Sequence, residues 1–147
     1  MEKINFKNKG EAGAIPVNAD NLNLMQTNVE NEFNNITNYS TTETKIGKWM
    51  NKNLYRKIVM INGLSFNVVE SASYNISDAD QVWIENAFCV STGSGRVVTL
   101  PMVGYDGDLT SKCDIWVEKS EGVIKMYSNG GWGADWWFYV ILNYTKN

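Results

Sequence analysis

From Lys45 to the C-terminus the sequence is interrupted by turn-forming clusters roughly every ten residues, which is too often for a helix of ordinary length or a βαβ unit to fit between them. The clusters fall at residues 51–53, 62–63, 91–95, 105–108, 120–122 and 129–133. The runs between them are short and rich in β-branched and aromatic residues. This punctuation predicts an antiparallel β-sandwich or barrel-like head over residues 45–147.

Two of the runs reveal which faces are buried. Side chains alternate along a strand, so Cys113, Ile115 and Val117 share one face, and Trp116 shares the other with Asp114 and Glu118. Trp116 is therefore expected to point away from the core. The last run, residues 136–144, is apolar on both sides, with Phe138, Val140 and Leu142 on one and Trp137, Tyr139 and Ile141 on the other. A strand apolar on both faces must be covered twice. One cover is the second sheet; the other is a neighbouring subunit or a long loop of the same chain.

Before the head the periodicity is different. Leu22, Met25, Val29, Phe33 and Ile36 fall within an arc of about 80° on a helix, while Asn21, Asn23, Asn28, Asn31, Asn34 and Asn35 occupy the far side. Asn18 stands at the N-cap position, and Asp20 lies in the first turn where a carboxylate favours the helix dipole. The spacing predicts a helix over 18–36. Six asparagines oppose helix formation, so the helix persists only if its apolar seam is packed. Either the chain's own head covers the seam, or its spacing of 3, 4, 4 and 3 forms a short parallel coiled coil with other copies. Leu24 lies off the stripe and fits neither arrangement. Gly10, Gly13 and Pro16 break up residues 1–17, which read as an extended arm, and the polar residues 37–44 read as a connector.

Several function classes are excluded by composition. The chain has no histidine, so Ser-His-Asp and Cys-His catalysis and His-containing metal sites are impossible. A net charge of -3 argues against nucleic acid or an anionic membrane surface as partner. The longest apolar run, residues 136–142, is far short of the roughly 20 residues needed to span a bilayer. The first residues lack the apolar core of a secretory signal, which points to synthesis in a cytoplasm. Cys89 and Cys113 are expected to be small buried apolar side chains rather than a disulfide.

Few residues offer chemistry. Trp132 sits among Gly130, Gly131 and Gly133 and near Asp135, a setting in which an exposed indole could stack on a sugar ring, with Trp116 and Tyr105 as candidate neighbours. The competing reading is that Trp132 folds back to cap the sandwich. Asp106, Asp108 and Asp114 form only a fragment of a calcium loop, and Asp78 and Asp80 read as a solvated acidic turn. Residues 91–96 lack the ending and the helix of a phosphate-binding loop and read as a strand connector. No cofactor or metal is expected.

Three segments carry a family resemblance. The first comprises Ile4-Asn5-Phe6-Lys7, residues 15–23 and Met25-Gln26-Thr27-Asn28-Val29-Glu30. The second comprises Tyr39-Ser40-Thr41-Thr42-Glu43, Gly47-Lys48-Trp49-Met50 and Leu54-Tyr55-Arg56-Lys57; the third is the closing Asn143-Tyr144-Thr145-Lys146. Together they resemble small tail-fibre or appendage proteins of phages and prophages of Gram-positive bacteria. The hairpin at residues 51–53 departs from the Asp-Gly-Lys-Pro type of turn common in those relatives. The resemblance implies a non-enzymatic virion protein, made in the host cytoplasm and assembled as a homotrimer. It further implies an arm that attaches to other tail, baseplate or capsid proteins and a β head displayed outward; the exposed-indole reading of Trp132 adds host cell-wall polysaccharide as a possible ligand. The interface would then use Leu22, Met25, Val29, Phe33 and Ile36 of the helix and Trp137, Tyr139 and Ile141 of the last strand. A decoration protein without a receptor and a bacterial lectin are the alternatives.

Overall fold

The computed structural model describes residues 19–105, 108–130 and 132–147. The chain divides into two compact units, residues 1–38 and 39–147. The expected arm, residues 1–17, and the N-cap Asn18 lie outside the described residues.

The first unit contains helix α1, Ala19–Thr37, in agreement with the apolar stripe. The second is mainly β, with strands β1 (Thr44–Trp49), β2 (Lys52–Leu64), β3 (Val68–Ser73), β4 (Ala79–Ser91), β5 (Val97–Leu100), β6 (Met102–Tyr105), β7 (Asp108–Glu118), β8 (Val123–Ser128) and β9 (Trp132–Lys146). They form two antiparallel sheets, sheet A in the order β1-β2-β9-β4-β5 and sheet B in the order β3-β8-β7-β6. The last strand is longer than its apolar run suggests, because Trp132 already pairs with Leu64. It sits at the centre of sheet A between β2 and β4, so the Phe138, Val140 and Leu142 face lies in the core and the Trp137 and Tyr139 face belongs to the outside of the sheet.

Phe138, Val140 and Leu142 of β9 are fully buried, as are Cys89 of β4, Cys113 of β7 and Ile124 of β8. Each large apolar side chain enclosed in this way contributes about 1.5–3 kcal/mol relative to exposure. Both cysteines are free thiols in the core, and burial pushes them up, Cys89 to about 11 and Cys113 to about 12. They act as small apolar residues rather than nucleophiles.

Two turns differ from their sequence reading. The β1–β2 hairpin closes at Met50-Asn51, both in the left-handed region with φ 46° and 64°, so Lys52 already belongs to β2. Asn62-Gly63 is not a hairpin turn but lies inside β2 at a register shift, where residues 133–136 of β9 stand against Gly63 alone between the Asn62–Trp137 and Leu64–Trp132 pairs. Gly63 adopts φ 67°, and a Cβ there would lie 3.2 Å from the Gly133 carbonyl oxygen, so backbone from β9 occupies the space a side chain would need.

Residues 39–43, read from sequence as part of a connector, belong to the β unit. The Ser40 carbonyl accepts a hydrogen bond from the Ile58 amide at 2.8 Å. Glu43 accepts one from the Tyr144 hydroxyl at 2.7 Å and pairs with Lys146 at 2.5 Å, pinning the approach to β1 against the end of β9. Partial burial works to raise the Glu43 carboxyl, but the hydrogen bonds from Lys146 and Tyr144 and the charges of Lys146 and Lys57 outweigh it and hold the group below its usual value. A carboxyl depressed in the folded state stabilises the fold above its unfolded value, and that contribution is lost as pH falls through the folded one. Glu43→Gln is therefore expected to lower the melting temperature slightly at neutral pH, with parent and variant converging in acid as the pH falls through the depressed carboxyl value, as thermal melts across a pH series would register.

Candidate functional site

A two-sheet sandwich has two outward faces, and here their chemistry differs. On sheet A, Ile58 lies opposite Ile141, and Met60 lies opposite Tyr139. Phe88 lies on the other side of Tyr139 and stacks on it at 5.2 Å between ring centroids, with planes 15° apart. Val90 flanks Trp137 and is itself paired with Val97 of the edge strand. Met60 and Val97 are exposed, and Trp137 and Tyr139 are half-buried. A hollow of about 480 Å³ on this face is lined by Tyr39, Ile58, Glu85, Asn86, Phe88 and Ile141.

The charge beside that hollow is already neutralised. Arg56 is buried and donates from its Nε and terminal nitrogen to the two oxygens of Glu85, at 2.8 and 3.0 Å. The ring of Tyr39 lies 4.4 Å from the guanidinium carbon. A bidentate pair capped by an aromatic ring has most of its desolvation cost already met within one chain. A second apolar surface could cover this face without isolating a charge.

The helix presents a second apolar surface. Leu22, Met25, Val29 and Phe33 are 52%, 41%, 59% and 65% exposed in the single chain. The Ile36 side chain lies outside the described residues. Of the expected contacts on β9, Ile141 is corrected: at 6% exposure it is already covered within its own chain, beside Ile58. Trp137 and Tyr139 retain open surface for a neighbour.

The outward face of sheet B is aromatic and charged. Trp116 on β7 is 38% exposed, with Lys125 of β8 directly opposite and Ser71 of β3 beyond it. Asp114 lies opposite Tyr127. The Lys112 ammonium is 5.1 Å from the Tyr127 ring centre and 3.9 Å from the Asp114 carboxylate. The Tyr127 hydroxyl donates to Asn67 at 2.9 Å, and Lys125 pairs with Glu121 at 2.8 Å. The outward position of Trp116 agrees with the alternation read from sequence.

Trp132 is elsewhere. It is 3% exposed and meets Trp136 edge-on at 4.6 Å and Phe138 at 6.0 Å, so the exposed-loop reading is overturned. The reason is the course of β9. Between Trp137, opposite Asn62, and Trp132, opposite Leu64, β9 spends four residues against the single Gly63 of β2; residues 133–135 are exposed, and Trp132 packs against Trp136 and Phe138. Trp132 and Trp116 thus lie on different surfaces, and the Tyr105 side chain lies outside the described residues. Tyr127, Lys125, Tyr39, Phe88 and Met60 were not singled out from sequence. Their alternation was visible, but which strands are neighbours was not.

Asp106 and the Asp108 side chain lie outside the described residues, and two of the other sequence candidates are structural. Asp80 accepts from Lys52 at 2.6 Å and from Thr145 at 3.3 Å, tying β4 to β2 and β9. Residues 91–96 close the β4–β5 hairpin through Ser91–Arg96 and Gly95–Ser91 backbone bonds. Among the described residues no group of three metal-ligating side chains is assembled, and no helix is long and apolar enough to cross a membrane. No protein-family model, curated protein or solved structure matches this chain.

Proposed function

We propose that this chain is a non-enzymatic virion structural protein, a homotrimeric phage tail fibre or appendage that displays its β head for attachment to the host cell surface. The observation that carries the reading is that each of the two units leaves apolar surface open in the single chain, the helix stripe Leu22, Met25, Val29 and Phe33 in the first and the outward face of sheet A in the second. Exposed apolar surface of this kind marks an association site. The 3-4 spacing of the stripe suits a parallel bundle, and a rotational assembly brings the same face of each head toward its neighbours. The family resemblance of residues 4–30, 39–57 and 143–146 supports the viral appendage and the trimer.

Light scattering on the purified chain at micromolar concentration is expected to give the mass of three copies. A single-chain mass would overturn the assembly. Mass spectrometry of purified particles of the phage or prophage that carries the gene is expected to find the chain, and its absence would remove the virion assignment. Pull-down with host cells separates an attachment role from decoration alone.

A further inference from the structure

We infer that the outward face of sheet B is a saccharide-binding surface centred on Trp116. A pyranose ring lies flat on the indole, and its hydroxyls bond to Asp114 and Lys125. This rests on the attachment reading above and specifies where on the head the contact is made.

Three observations lead to the occupant. First, pairing of β6 with β7 runs no further along β7 than Met102 opposite Cys113. Beyond that point β7 is the edge of sheet B among the described residues, so Trp116 has β8 on one side and is 38% exposed. Second, the indole makes no hydrogen bond or ring contact among the described residues, although the polar side chains around it are paired off. Lys125 is held by Glu121, Lys112 by Asp114 and the Tyr127 ring, and Glu118 by Ser120. A flat, rigid indole has few rotamers to lose, so ordering it on a ligand costs little entropy.

The third is charge. Lys112 and Lys125 stand against Asp114, Glu118 and Glu121, so the face does not attract a polyanion. A second copy fits poorly as well, because the centres of protein interfaces are depleted in Lys, Asp and Glu, which here flank the indole along β7 and across to β8. What remains is a neutral, hydroxyl-rich ligand with an apolar face, and a pyranose has both features.

The test follows the indole N–H signal of Trp116 in the full chain, assigned by its loss in Trp116→Phe. The probes are methyl glucopyranoside, methyl galactopyranoside and N-acetylglucosamine at millimolar concentrations, with acyclic sorbitol as control. The Trp116 signal is expected to move with at least one pyranose and not with sorbitol, while the signal of buried Trp132 stays in place. Asp114→Ala is expected to weaken that pyranose about tenfold with the fold unchanged. No movement with any of the three sugars, or equal movement with sorbitol, overturns the inference. Host-cell binding separates the two levels. If the parent adheres and Trp116→Ala adheres equally, the surface is wrong and attachment stands. If the indole responds to sugar but the parent does not adhere, the surface stands and attachment fails.

Discussion

Trp132→Ala is expected to destabilise the head by about 3–5 kcal/mol, the range for deleting a large buried aromatic side chain. For a domain of about a hundred residues this lowers the melting temperature by tens of degrees at the usual few degrees per kcal/mol. The size follows from position. The indole is enclosed at the start of β9, packed edge-on against Trp136 and near Phe138. Backbone crowds it too, since Gly130 is held so close that a Cβ there would lie 3.0 Å from the indole Nε1. Chemical or thermal unfolding measures the effect directly. A melting temperature within a few degrees of the parent would mean that Trp132 lies at the surface after all. The contrasting substitution is Trp116→Ala on the outward face of sheet B, expected to change stability by less than about 1 kcal/mol.

The two tryptophans show what was legible in the sequence and what was not. Trp116 lies within a run whose alternation is unbroken, so its outward direction could be read from Cys113, Ile115 and Val117 alone. Trp132 is preceded by two glycines and followed by a third, and a glycine-rich segment gives no periodicity to count. Parity with Phe138 is no guide, because alternation fails across Gly133, Ala134 and Asp135, all three exposed. The inward position of Trp132 depends on the partner strand: four residues of β9 stand against the single Gly63 of β2 before Trp132 pairs with Leu64. Ile141 is a similar case. The sequence shows that β9 needs covering on both faces, but not that Ile58 and the surrounding side chains of β2 and β4 already enclose this one residue. Cross-strand order is fixed by non-local pairing, and short turn-bounded runs do not encode it individually.

Asp substitutions in the helix seam are expected to have the larger effect on assembly. Val29→Asp combined with Phe33→Asp should convert a three-copy mass to a single chain at micromolar concentration, while the β-sheet signal of the head persists. Each carboxylate would have to be buried against its counterparts in the seam, at several kcal/mol per copy, and every 1.4 kcal/mol weakens association tenfold. The helix should be lost at the same time. Asn21, Asn23, Asn28, Asn31, Asn34 and Asn35 hold α1 below the propensity an isolated helix of its length needs, so in the proposed trimer packing of the seam is what would keep it formed. Circular dichroism and light scattering on the same samples therefore measure one coupled event. Asn31→Asp, on the polar side of the helix, adds a charge without touching the stripe and should leave both mass and helicity unchanged. If the double variant keeps its helix and its mass, the seam is not the assembly contact, and the outward face of sheet A carries assembly alone. Met60→Glu with Val97→Glu would then be the substitution that separates the copies.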